Sequence, residues 1–262
     1  MTTDVAVQKK KLNIYIGFDT RNFGQQLAYE GCKRSMLRYL TAQTEWEYTI
    51  TPLVLCDLEK EGLMHREFDK LASTEFTYTR FLAPHLNNFE GYALFCDSDF
   101  IWNTSPTETM QYLKDDHAVA CVQHNYTPRS EFKMDGRVNS PYPRKNWSSL
   151  MLFNCSHPDV KQLTVENVNT KSPAWLHRMQ WAKDDEIDSI PYQYNYLVGY
   201  YQTNDPLVVH YTDGGPWHPG YEQIQYGELW SQYMDTLELK KLKRELDEYY
   251  EEHPEVHPGD HK

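Results

Sequence analysis

The chain has 262 residues and a formal net charge of −12, from 26 Lys and Arg against 38 Asp and Glu. Its length suits one full-sized domain, and its 40% hydrophobic residues supply a core, which excludes a disordered chain. The acidic balance argues against a nucleic-acid partner, since binding to phosphates needs a basic surface. No apolar run reaches the roughly 20 residues that span a bilayer, and no apolar leader opens the chain, so we expect a cytoplasmic protein without a transmembrane segment.

Short apolar runs alternate with helical patterns along the chain. The predicted strands are Leu12–Phe18, Tyr48–Leu55, Gly91–Cys96, Ala118–Val122, Ser149–Phe153 and Leu207–His210, and the predicted helices are 23–40 and Thr77–Leu86. Pro52 lies within the second run and favours an edge position for that strand, because proline cannot donate to a neighbouring strand. The alternation indicates an α/β domain with a mostly parallel sheet.

The pattern predicts a single domain with a helical appendix. We expect a flexible arm over residues 1–11, the domain over 12–220, amphipathic helices over 221–250 and a flexible acidic tail over 251–262. The stretch 126–146 is rich in Pro, Gly and charge, which is typical of a long functional loop. A basic run at 240–244 could make a weak contact with an anionic membrane surface, although its acidic neighbours favour a solvated helix face.

A buried strand that ends in two carboxylates is the most informative motif. Asp97 and Asp99 directly follow the run Gly91–Cys96. Ligands of α/β sheets bind at the carboxyl ends of strands, where two such aspartates can turn toward one divalent cation, which in turn grips a diphosphate. The simpler interpretation is that these aspartates only cap a turn. Their place behind an apolar strand favours the metal site.

A second strand ends in a histidine that precedes a glycine pair. His210 is followed by Gly214, Gly215 and Trp217, and glycine lets a backbone approach a ligand closely. The imidazole could complete a metal shell begun by the two aspartates, with Mn2+ as the natural choice for mixed oxygen and nitrogen ligands and Mg2+ as the alternative. A histidine that merely packs at the end of a strand is a comparable interpretation.

Five segments follow one another in an informative order. They are Ile14–Asp19, Phe76–Leu82, LFCDSDFIW at 94–102, Asn146–Asn154 and HYTDGGPW at 210–217. In this order they resemble the motifs of GT-A-fold glycosyltransferases, most closely family 8, the group of glycogenin and the bacterial lipopolysaccharide galactosyltransferases. The resemblance implies a nucleotide-binding, mostly parallel sheet flanked by helices. It also implies a metal-dependent hexosyl- or pentosyltransferase that uses a nucleotide-sugar donor, by default a UDP-sugar, and a saccharide or other hydroxyl acceptor.

The resemblance also implies a role for each matching residue. It assigns Gly17, Phe18 and Asp19 to the base and ribose, Arg80 to the donor side, Ser98 to the ribose, Asp97, Asp99 and His210 to the metal, Trp147 and Ser149 to the donor-sugar pocket, and Gly214, Gly215 and Trp217 to the closing element. Family members carry a lysine on the diphosphate where this chain has Gly215. Backbone amides of the glycine pair, or a cation such as Arg21, Arg144 or Lys145, must take its place.

The stereochemical outcome and the function class have alternatives. Family 8 enzymes retain the anomeric configuration, whereas an inverting enzyme needs a carboxylate base beside the acceptor hydroxyl, for which Asp184, Asp185 or Asp213 are candidates. Aromatic residues of the C-terminal half, Tyr142 among them, could stack on a saccharide acceptor. A non-catalytic sugar-binding module is the main alternative function. A phosphatase of the D-x-D type is less favoured, because its motif lies on the first strand, and so is a nucleotidyltransferase, which would need a Gly-rich basic loop.

Overall fold

The structure is a computed structural model that describes residues 9–21, 23–67, 69, 72–133, 139, 141–218 and 220–252. Most of the expected N-terminal arm and of the acidic tail, residues 1–8 and 253–262, lies outside the described residues. Where the chain is described, β1 already begins at Lys10, and the last helix continues to Glu252.

The strands of the described residues form two sheets. They are β1 (Lys10–Phe18), β2 (Trp46–Val54), β3 (Tyr92–Cys96), β4 (Phe100–Trp102), β5 (Val119–Cys121), β6 (Leu150–Asn154), β7 (Ile187–Ser189), β8 (Tyr196–Leu197) and β9 (Val208–His210). The larger sheet has the order β2-β1-β3-β6-β5-β7, and the smaller has the order β4-β9-β8. In the larger sheet β6 runs antiparallel to both of its neighbours, and the other pairings are parallel. The predicted mostly parallel central sheet is therefore confirmed.

Helices cover both faces of the larger sheet. They are α1 (Phe23–Leu40), α2 (Leu55–Lys60), α3 (Phe76–Thr79), α4 (Ala83–Leu86), α5 (Val165–Thr170), α6 (Pro173–His177), α7 (Gly227–Ser231) and α8 (Leu237–Glu252), with 3-10 turns at Arg80–Leu82, Pro106–Tyr112, Trp147–Ser149, Val160–Gln162, Asp184–Glu186 and Tyr192–Asn195. Successive side chains of β3 alternate between two buried clusters: Ala93 and Phe95 belong to one, Leu94 and Cys96 to the other. Burial on both faces explains why the strands appear in the sequence as unbroken apolar runs.

The predicted strands are all present, within one or two residues of their expected ends. The strand that carries Pro52 is β2, which lies at the edge of the larger sheet as predicted. The predicted helix Thr77–Leu86 is instead divided into α3, a 3-10 turn and α4. Pro84 lies in the first turn of α4, where its missing N–H leaves no donor for a continuous helix.

The helix α8 packs on the domain through one apolar edge. Leu239 and Leu246 are buried in a cluster that also includes Trp230. The basic side chains of the helix pair with acidic neighbours: Lys240 with Asp235, Lys241 with Glu245, and Lys243 with Asp247. Across the described residues, no helix combines the length and the apolar character that crossing a bilayer requires.

Candidate functional site

A cavity of about 580 Å³ lies at the carboxyl end of β3. This volume is within the range of about 300–1,000 Å³ that is typical of small-molecule sites. Its wall includes residues from the segments 72–80, 145–149, 172–178 and 212–218, together with the two aspartates that follow β3. The cavity therefore lies where ligands of α/β proteins generally bind.

The two sheets bring Asp97, Asp99 and His210 together. Three residues separate the end of β3 from β4, and both aspartates lie in that connection. Because β4 pairs with β9, Phe100 faces His210 across the small sheet, with their rings stacked 4.3 Å apart. One potential ligand atom from each of the three side chains lies within 4.8 Å of the other two. The structure thus places the three residues that the sequence nominated as metal ligands at one point.

The donor atoms of this group fit a divalent cation. Asp99 Oδ1 is buried and has no hydrogen-bond partner within the described part of the chain, and it lies 3.4 Å from His210 Nε2. Two carboxylates and one imidazole are ligand types that Mn2+ and Mg2+ sites use. Burial raises the pKa of Asp97 to about 6, although Arg80 opposes the shift. Burial acts to raise the pKa of Asp99, but His210 and, to a smaller extent, Lys133 and a backbone hydrogen bond together lower that pKa below its ordinary value.

Arg80 is bound to the metal-site carboxylate. Its side chain is buried, and its Nη1 lies 2.8 Å from Asp97 Oδ1 and donates to the Ser148 carbonyl at 2.8 Å. Its Nε donates to the carbonyl of Phe76 at 3.0 Å. Arg80 lines the cavity as expected, and in the structure its charge partner there is Asp97.

Three cations were considered as substitutes for the family lysine, and Lys145 is the one of them that lines the cavity. Only 9% of it is exposed, and its Nζ lies 4.8 Å from the centre of the Tyr142 ring. Burial first, and the nearby charge of Lys133 second, lower its pKa to about 8, with Asp213 acting in the opposite direction. Arg21 instead binds Asp19.

The three candidate bases separate into one inside the cavity and two outside it. Asp213 lines the cavity, and it accepts hydrogen bonds from the Tyr200 hydroxyl at 2.7 Å and from Asn139 Nδ2 at 3.0 Å. Asp184 and Asp185 are exposed in a 3-10 turn, and neither lines the cavity. Arg144 binds Asp184 on that outer surface at 2.6 Å. The structure thus places Asp213, and not Asp184 or Asp185, at the cavity wall.

The residues expected to contact the base and ribose lie behind the cavity wall. Gly17, Phe18 and Asp19 do not line it. A Cβ on Gly17 would lie 2.4 Å from the ring of Phe76. Glycine at this position therefore lets Phe76, which lines the cavity, pack on β1. Asp19 is fully buried and accepts hydrogen bonds from the Arg21 side chain and from the Glu75 amide. Phe18 packs edge-on against Tyr29.

Ser98 is likewise turned away from the cavity. It is fully buried, and its Oγ donates to Gln25 Oε1 at 2.6 Å. Gln25 lines the cavity in its place. Trp147 does not line the cavity either, because its indole N–H donates to the carbonyl of His124. Ser149, two residues further along the chain, does line the cavity.

The closing element, residues 210–217, contributes a buried indole to the cavity wall. Trp217 and Gly214 both line the cavity. Gly214 has a φ of 125°, which favours glycine. A Cβ on Gly215 would lie 2.4 Å from the Trp217 ring, so at this position glycine makes room for the indole.

Several wall residues have no motif in the sequence that could have indicated them. His177 lines the cavity, its Nδ1 is 2.9 Å from Ser148 Oγ, and burial lowers its pKa to about 3. Asn195 lies beneath His210, with its Oδ1 2.8 Å from His210 Nδ1. Lys133 belongs to the loop that its composition had indicated, and that composition was the one available signal for it, whereas Tyr142 of the same loop had also been nominated as an aromatic residue.

A second group of potential ligands is already paired. His157, Asp159 and Glu186 also lie within ligand distance of one another. The Asp159 amide donates to His157 Nδ1 at 3.2 Å, so the proton of the neutral ring is on Nε2, which faces Glu186 at 3.6 Å. Lys183 binds the other oxygen of Glu186 at 2.7 Å. This group is an ion-pair cluster with no nitrogen lone pair available to a cation.

Comparisons with known proteins agree with the fold. The chain is 43% identical over 246 residues to Protein CDI of Arabidopsis thaliana, which covers 92% of each chain. No family model matches the chain. Its structure is similar to those of the bifunctional glycosyltransferase WbbM (TM-score 0.55, 15% identity, 91% of this chain and 52% of WbbM) and the Streptococcus pneumoniae glycosyltransferase GlyE (0.54, 14%, 97% and 66%). It is also similar to the galactosyltransferase LgtC, solved with donor and acceptor sugar analogs (0.50, 11%, 88% and 99%).

These likenesses confirm the expected GT-A-type fold. The chain spans about half of WbbM and 66% of GlyE, whereas it spans nearly all of LgtC and of the Arabidopsis relative.

Proposed function

The chain belongs to the family of Protein CDI of Arabidopsis thaliana, and we propose from its fold and its site that it is a metal-dependent glycosyltransferase. It transfers a hexosyl or pentosyl group from a nucleotide-diphosphate donor, by default a UDP-sugar, to a hydroxyl of a saccharide or glycoconjugate. One observation carries the proposal: Asp97, Asp99 and His210 converge within 4.8 Å of one another, and the two aspartates line the cavity at the carboxyl end of β3 in a glycosyltransferase fold.

Charge decides what the site residues do. Mn2+ or Mg2+ held by the two aspartates and His210 would neutralise the charge that develops on the leaving diphosphate. Arg80 holds the Asp97 carboxylate in place through the ion pair at 2.8 Å. Lys145 lines the same cavity and supplies an ammonium to the diphosphate, in the role that the family lysine has elsewhere. These positive charges are how a chain of net charge −12 binds a diphosphate.

Asp213 defines the acceptor side of the proposal. Two hydrogen-bond donors orient its carboxylate at the cavity wall, where it can accept a hydrogen bond from an acceptor hydroxyl. Retention of configuration, which the resemblance to family 8 favours, needs no base at this position. If transfer inverts the configuration, Asp213 is the candidate base. Tyr142, with 42% of its surface exposed beside the cavity, offers a ring face to a sugar.

Calorimetric titration of UDP, with and without Mn2+, tests the donor site. We expect binding that requires Mn2+ and that Asp99→Asn abolishes, because the substitution removes one charged ligand. Asp116→Asn is the matched control, since this aspartate is exposed at 89% of its side chain and lies outside the cavity. Equal binding in wild-type protein and Asp99→Asn would overturn the metal site. Absence of binding to any nucleoside diphosphate, with sugars still bound, would favour the sugar-binding module.

Incubation with a panel of UDP-sugars then identifies the donor. Slow hydrolysis without acceptor releases a free sugar, whose first-formed anomer is visible by proton NMR. The α-anomer from an α-linked donor would support retention. The β-anomer would support inversion and make Asp213→Asn the next variant.

A further inference from the structure

A buried chain of hydrogen bonds lies behind His210. Asn195 is fully buried, its Nδ2 is 2.9 Å from Ser149 Oγ, and its Oδ1 is 2.8 Å from His210 Nδ1. Ser149 Oγ in turn is 2.7 Å from the carbonyl oxygen of Asn146. None of these groups is a metal ligand.

The donor and the acceptor of each hydrogen bond in this series follow from the Asn146 carbonyl, at the end away from His210. The Asn146 carbonyl can only accept, so the one hydroxyl proton of Ser149 is donated to it. Ser149 Oγ can then only accept from Asn195, which places the amide nitrogen on that side. The amide oxygen therefore faces His210 and requires a proton on Nδ1.

The consequence is a fixed imidazole tautomer. With its proton on Nδ1, the neutral ring of His210 has its lone pair on Nε2, the nitrogen that faces Asp99 Oδ1 at 3.4 Å. A metal can bind only the unprotonated nitrogen. We propose that Asn195 and Ser149 are positioning residues that hold His210 in its metal-binding tautomer and thereby set the cation affinity of the site; this rests on the proposed function.

Ser149 links this chain to a second ligand. Its carbonyl accepts the backbone N–H of Asp97 at 2.9 Å, while its hydroxyl accepts from Asn195. One residue, directly before β6, therefore positions the aspartate that follows β3 and, through Asn195, the histidine at the end of β9. This role is separate from the donor-sugar contact that the resemblance implies for Ser149, which lines the cavity.

Three variants separate the hydrogen bond from simple packing. Asn195→Leu keeps the approximate volume and removes the acceptor, and we expect Mn2+ affinity, measured by electron paramagnetic resonance of free Mn2+, to fall about 10- to 100-fold. Asn195→Asp keeps an acceptor for Nδ1–H and should retain affinity near that of the wild type. Ser149→Ala leaves Asn195 free to turn over and should give a smaller loss. Circular dichroism confirms that each variant is folded.

The tautomer itself is read from the nitrogen shifts of His210 in metal-free protein, at a pH high enough for the ring to be neutral, with His210→Gln used for assignment. We expect the Nδ1–H form in the wild type and a mixture in Asn195→Leu. The Nε2–H form in the wild type, or equal Mn2+ affinity in folded Asn195→Leu, would overturn the inference. Lack of Mn2+ binding by the wild type would overturn the proposed function. The nitrogen shifts of His210 would then still show whether Asn195 and Ser149 fix its tautomer.

Discussion

Lys145 allows a sharp test of how this acidic chain binds a diphosphate. Its side chain lies buried in the cavity wall, and burial, followed by the charge of Lys133, lowers its pKa to about 8. An ammonium must hold its proton to pair with phosphate. Nucleotide affinity should therefore fall as the pH rises through this value.

The size of the effect follows from the pKa. With a pKa of about 8, the protonated fraction of Lys145 falls from about nine tenths at pH 7 to about one tenth at pH 9. Because the bound diphosphate keeps the proton on the amine, the dissociation constant of UDP should rise about tenfold over this interval, or about 1.4 kcal/mol. An ordinary lysine, with a pKa of about 10.4, would change it by only a few per cent.

Calorimetric titration of UDP with Mg2+ at a series of pH values measures this slope. Lys145→Arg is the matched control, since the guanidinium stays charged throughout and should remove the slope while it keeps a cation in the wall. Lys145→Met should weaken binding at pH 7 and also remove the slope. Deprotonation of the uracil ring of UDP, or of water bound to Mg2+, affects all three proteins alike. The same slope in wild type and Lys145→Arg, or none in wild type, would refute the assignment of Lys145.

Three further substitutions test other parts of the site. Arg80→Met leaves the buried Asp97 without its partner, so the free energy of unfolding in urea should fall by about 3–5 kcal/mol; a loss below about 1 kcal/mol would contradict a buried ion pair. Gly215→Ala places a methyl against the Trp217 ring, and a lower melting temperature, equivalent to about 1–3 kcal/mol, is expected by calorimetry. Asp184→Asn changes only an exposed ion pair, so UDP-sugar turnover should stay at the wild-type rate, and a large loss would return this aspartate to the mechanism.

The sequence was informative where one local pattern determines the outcome. The strands β1, β3 and β6 are buried on both faces, so their apolar runs identified them. The short β8, with two residues, has no periodicity to detect. Asp97 and His210 could be nominated because each stands at the end of such a run, and the end of a strand is where a side chain reaches a ligand.

The rest of the site depends on contacts that no local pattern encodes. Asn195 matters because of its two hydrogen-bond partners, Ser149 in the 3-10 turn before β6 and His210 at the end of β9. Asp184 and Asp185 had the composition of a catalytic acidic element, yet their turn faces solvent and one of them binds Arg144. Ser98 lies between two candidate ligands in the sequence, but at the bend between β3 and β4 its side chain turns inward to Gln25.

The three-residue connection between β3 and β4 has a mechanical consequence. It carries both carboxylates and is also the shortest covalent link between the two sheets. His210 lies at the end of β9, which pairs with β4 in the smaller sheet. A cation bound to all three residues would act as a clamp across this seam, because any sliding of one sheet over the other changes the distances between its ligands. Binding should therefore stiffen the junction of the sheets, and substitutions that loosen the junction should weaken binding even when they lie far from the cavity.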